Sequence, residues 1–220
     1  MSLGSNVVPV LSGGFRLDAI RSGRSDAAFV YAFALLTLLT ELVIYWMGSH
    51  AHHNIWVTHL YTLTAYILLM LTFALWQKED GKSRTGGILS PRVLRASILV
   101  YVFFWLASKW TFEKWDEPGT YTLAVCSFVF ILLSLVMLYR QVSSRDRRDK
   151  PLLRDFRFWI TVGVLSYFSG SVVEFLAISV LINLPREAFL KLWTLQWVIS
   201  SLSNAAYAYG FLCLTRRPAA

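Results

Sequence analysis

Long apolar runs alternate with short polar connections along almost the whole chain. A helix needs about 20 mostly apolar residues to cross the hydrocarbon of a bilayer. Six stretches meet that requirement, at about 27–48, 55–76, 94–112, 119–139, 157–182 and 189–214. The runs are continuous rather than alternating, which excludes the strands of a membrane barrel. Backbone polar groups find no water in hydrocarbon, so the runs are predicted to be helices. The expected fold is all-α: a polytopic transmembrane bundle of six helices over 27–215, preceded by an N-terminal cytoplasmic arm at 1–26. The arm's apolar piece, Asn6–Leu11, is too short for a cleaved signal. The arm is expected to be disordered, with Phe15, Leu17 and Ile20 able to rest on the membrane surface.

The punctuation agrees with the runs. Glycines and a proline fill "KEDGKSRTGGILSPR" between the second and third spans, and "NLPRE" makes the fifth connection. Trp46, Trp56, Trp110, Trp115 and Trp193 are predicted at one membrane edge and Trp76 and Trp159 at the other, as an aromatic belt. Trp105 and Trp197 fall deeper and are expected to pack between helices.

Composition sharpens this. Only 15% of the 220 residues are charged, against roughly 25% in soluble domains, so no separate soluble domain is expected. The net charge of +8 raises the possibility of nucleic acid, but the distribution argues against it. Seventeen of the 21 Lys and Arg residues fall in the arm, the second and fourth connections and the regions on that same side. This is the positive-inside pattern. It predicts both termini in the cytoplasm, with the basic loops facing anionic lipid. Cys126 and Cys213 fall toward opposite faces, so no disulfide framework is expected.

Ionisable residues inside spans mark sites by default, because burying them in hydrocarbon is costly. Glu41 and Glu174 lie in the outer halves of the first and fifth spans, His59 one turn into the second, and Gln196 at a similar level in the sixth. Helical spacing gives each a face. Thr37, Glu41 and Tyr45 share one; His59, Thr62 and Tyr66 another. Gly163, Tyr167, Gly170 and Glu174 share a third, and Gln196 heads a polar side that includes Ser203, Asn204 and Tyr207. Glu41, Tyr45, His59, Tyr66, Tyr167, Glu174 and Gln196 are therefore expected to line an outward-facing polar cavity. Gly163, Gly170 and Asn204 are assigned to helix packing. The layer reads either as a ligand or proton site, or as an interhelical hydrogen-bond lock.

All four histidines fall within residues 50–59. His50, His52 and His53 would be the ligands if a metal bound, since imidazole suits zinc and copper. The spacing lacks the second ligand pair of a structural zinc site, so no metal and no cofactor is expected. Lys109 is at a span edge, too shallow for a retinal linkage, and one inward histidine does not hold a haem.

Three stretches carry a resemblance: "HNIWVTHLYTLTAY" (53–66), "FWITVGVLSYFSG" (158–170) and "NAAYAYGFLC" (204–213). Together they resemble an uncharacterised family of bacterial multi-pass inner-membrane proteins. More distantly they are similar to the multi-helix membrane sensor regions preceding some histidine kinases. The resemblance marks Asn54, Trp56, His59, Tyr61, Gly163, Tyr167, Gly170, Asn204 and Tyr207. The chain departs from the pattern in its polar arm and in Ala65, where an acidic residue is usual.

These observations leave three functional readings. One is a sensor-like module that binds a small molecule or lipid and signals to a cytoplasmic partner through the 140–157 loop. The others are a membrane-embedded lipid-modifying enzyme using Glu/His acid–base chemistry, and a small transporter.

Overall fold

The computed structural model describes residues 3–50, 54–80, 90–116, 119–143, 151–181 and 186–214; its side-chain description leaves out 3, 80, 173–181, 186–190, 192 and 193. Every regular element among the described residues is helical. In chain order these are α1 (Leu3–Gly14), α2 (Leu17–Arg21), α3 (Ser25–Ser49), α4 (Ile55–Asp80), α5 (Pro91–Thr111), α6 (Thr120–Ser143), a 3₁₀ turn (Leu152–Arg154), α7 (Phe156–Leu181) and α8 (Arg186–Leu212). Among the described residues four stretches are long and apolar enough to cross a membrane: Ser25–Ser49, Ile55–Glu79, Pro91–Thr111 and Thr120–Ser143. By length and composition the chain is a membrane protein.

Local chemistry sets the helix ends. Ser90 opens α5 in extended conformation, its hydroxyl accepting from Val93 N at 3.3 Å, and Pro91 occupies the first turn, where no N–H is needed. The Asp155 carboxylate accepts from Arg157 N at 2.9 Å and opens α7 in the same way. Gly23, at φ 91°, makes the turn from α2 into α3 in a region that favours glycine.

The chain divides into two compact units, one covering Asp18–Leu123 and the other mainly Ala124–Thr215 with the N-terminal helix. In the first unit α3, α4 and α5 run antiparallel. Asp26 meets Trp76, Thr37 meets Tyr61, and Asn54 reaches back to Ile44. Across the next pair Tyr66 stacks on Tyr101 with ring centroids 3.8 Å apart, and His59 meets Lys109. Its core is aromatic and aliphatic, built on Val30, Phe33, Leu69, Met70, Phe73 and Trp76.

In the second unit α7 and α8 pack antiparallel with backbones close together. A Cβ at Gly163 would sit 2.5 Å from the Tyr207 ring and 3.1 Å from Ser203 O, and one at Gly170 would sit 2.6 Å from Ile199. Phe130 of α6 stacks on Phe168 of α7 at 4.8 Å.

The N-terminal arm differs from expectation. Instead of disorder, residues 3–14 form α1, which lies along α8. Asn6 is buried, and its side-chain oxygen accepts from Asn204 Nδ2, which also donates to Ser5 Oγ at 3.1 Å. Arg16 donates to Leu212 O at the end of α8. Burial against a neighbour supplies what Pro9 and three glycines withhold from this helix. Trp76 also differs: placed by the sequence in an aromatic belt, it is fully buried.

Candidate functional site

The best-defined polar constellation lies in the first unit, where α4 begins and α5 ends. α5 closes at Thr111, and the backbone N–H groups of Phe112 and Glu113 both donate to Ser108 O. This turn carries Glu113 back under the helix. Its side chain is buried, with 2% of it exposed, and both carboxylate oxygens are used. Oε1 accepts from the backbone N–H groups of Tyr121 and Thr122. Oε2 accepts from Thr122 Oγ1 at 2.9 Å and from Lys109 Nζ at 2.8 Å. A carboxylate on the first turn of α6 meets both unpaired N–H groups and the positive end of the helix dipole.

Lys109 lies one turn before Glu113, and 4% of its side chain is exposed. Its Nζ is 2.8 Å from His59 Nδ1. An ammonium has no lone pair, so it must be the donor. His59 Nδ1 is therefore unprotonated in this arrangement. The ring is packed edge-on against Trp115 at 5.8 Å, and Trp115 against Trp105 at 5.6 Å. Gly119 presses on the ring: a Cβ there would lie 2.7 Å from Nδ1. The chain His59–Lys109–Glu113–Thr122 thus ties α4, α5 and the first turn of α6 together.

Burial alone pushes the Glu113 carboxyl up. The hydrogen bonds from Lys109 and Thr122, with the Lys109 charge, outweigh it and hold the group below its ordinary value of 4.5.

A second buried carboxylate lies at the other end of α4. Asp26, 1% exposed, takes both Nε and Nη2 of Arg24 at 3.0 Å and the Trp76 indole N–H at 3.1 Å. Seventeen residues of helix between His59 and Trp76 correspond to roughly 26 Å.

The residues singled out by sequence are distributed as follows. His59 is 1% exposed and belongs to the constellation. Tyr66 is buried against Tyr101, further along α4. Glu41 is half-buried, and the α3–α4 register puts it level with the first turn of α4. Tyr45, expected to face inward one turn further on, is 51% exposed. Tyr167 and Gln196 belong to the second unit and are half-buried, and the side chain of Glu174 lies outside the described residues. Asn204 binds α1, and Gly163 and Gly170 lie at the α7–α8 contact. His50 Nδ1 is 2.8 Å from Trp46 O, while His52 and His53 lie outside the described residues. Among the described residues no group of three or more His, Cys, Asp or Glu is arranged to hold a metal.

Sequence reasoning passed over Glu113, Arg24 and Asp26, and treated Lys109 only as a rim residue. The available signals were a Lys–Glu pair at i, i+4 just past an apolar run, and an acidic residue in the first turn of another. No family model matches the chain, and neither does any curated protein or solved structure.

Proposed function

We propose that the protein is a six-span sensor-like module of the bacterial inner membrane, with both termini cytoplasmic and its responsive site at the outer end of the first unit. The carrying observation is the contact of one buried ammonium with both a carboxylate and an imidazole, at 2.8 Å each. Three elements meet there through groups that respond to charge. An ionisable cluster in such a position is costly and marks a site.

Exposed Trp46, Trp56, Trp110 and Trp115 surround the same end of the unit, as side chains at a membrane–water interface do. Leu99, Val100 and Phe103 on α5 are exposed and suit contact with lipid tails. The positive-inside distribution supports reading this end as the outer one. In this reading a small molecule or lipid headgroup bound at the outer end competes for Lys109 and shifts α5 against α4. The basic 140–157 segment carries the shift to a cytoplasmic partner.

A thermal-stability screen of lipids and small polar molecules on the detergent-solubilised chain tests the reading. Some ligand is expected to stabilise the wild type and to lose that effect in Lys109→Ala. If every stabilising ligand acts equally on Lys109→Ala, the site is misassigned.

A further inference from the structure

The contact between Lys109 and His59 holds only while Nδ1 of the imidazole carries a lone pair. Imidazole is the side chain whose charge ordinarily changes between about pH 5 and 8. A proton on Nδ1 would point an N–H at an ammonium 2.8 Å away. The ring has little freedom to slide aside, because Gly119 presses on its Nδ1 edge and Trp115 packs against it.

We propose that His59, Lys109 and Glu113 form a proton-operated clasp, closed while His59 is neutral and opened when acid on the outer side protonates it. The charged groups around His59 decide the direction. α5 presents Lys109, a cation. The segment after α5 presents Glu113, whose negative charge is already engaged by Lys109 and by the α6 backbone. Lys114 and Asp116 in that segment are exposed. The first turn of α6 presents Thr122 and no charge, and α4 itself carries no other charged residue before Lys78. On α3, Glu41 is half-buried at the level of the first turn of α4. Among the described residues, which leave out Glu117, the nearest charge to Nδ1 is therefore positive, and a proton there repels it.

Opening has a defined consequence. Lys109 leaves His59, so α4 loses its polar tie to α5. Glu113 is left to hold the α6 first turn with a displaced counter-ion, and the Tyr121 and Thr122 N–H groups become less protected. The inference deepens the sensor-like reading and shares its outer-end assignment, but its test does not depend on a ligand or a cytoplasmic partner.

The test is amide exchange of the full chain in lipid nanodiscs, read on the peptide holding Tyr121 and Thr122 and corrected for the intrinsic pH dependence of exchange. In wild type, protection is expected to fall about tenfold or more from pH 8 to pH 5, as local opening becomes easier. His59→Gln, which has no titrating ring, is expected to show the same protection at both pH values. His59→Asn serves if His59→Gln does not fold. Equal pH dependence in wild type and variant, or none in wild type, overturns the clasp. A ligand screen that fails while this exchange result holds would overturn the ligand reading alone.

Discussion

Two carboxylates are buried in the same unit, near opposite ends of α4, and they are held by different kinds of partner. Asp26 is gripped by a bidentate guanidinium and an indole N–H. Neither gives up its proton in any ordinary pH range. Glu113 is held by an ammonium that itself leans on an imidazole. One end is a permanent lock, and the other leans on an imidazole, a side chain that can take up a second proton. Burying a charge does not by itself make a switch; the partner's own chemistry decides whether the bond is conditional.

The comparison can be broken at either end. Asp26→Ala is expected to cost most, about 3–5 kcal/mol, because it removes the carboxylate shared by a mostly buried guanidinium and a buried indole N–H. Thermal unfolding in a fixed detergent measures it, and the loss should be nearly the same from pH 5 to 8. Glu113→Gln should cost about 1.5–3 kcal/mol, the range for hydrogen bonds to charged groups. Its backbone bonds to α6 can be partly kept by the amide oxygen.

Acid sharpens the contrast further. The Glu113 carboxyl sits below its ordinary value of 4.5, so its contribution is fully present above that value. It is lost as pH falls from about 4.5 through the lower folded value, because the unfolded chain binds the proton first. Wild type should therefore show an extra loss of stability below about pH 4.5 that Glu113→Gln lacks. The smallest effect is expected from Trp115→Phe, about 0.5–1.5 kcal/mol, since it keeps a ring against His59. A larger loss would mean that ring packing, not the ammonium, holds this end.

Much of the helical architecture was legible because the required signal is long and local. An apolar run such as Thr120–Tyr139 leaves one solution in hydrocarbon, and α6 covers it. The α1 helix was not legible, because its order depends on Asn204, nearly 200 residues away. His59 stood out as a polar residue inside an apolar helix, and it is buried. Its partners did not stand out, because a lysine and a glutamate at a span edge read as ordinary rim charges. Trp76 was misread for a related reason: an interfacial tryptophan and a buried indole donor look alike until Asp26 is seen opposite it.

Gly119 gives this end of the molecule a mechanical handle. Its missing side chain is the space in which the His59 ring sits, since a methyl group there would come within 2.8 Å of two ring atoms. An alanine at that position would act as a wedge, forcing the imidazole off Lys109 without adding or removing any titrating group. The protein would then hold at neutral pH the geometry that acid otherwise produces. Force and protonation would become interchangeable inputs to one joint.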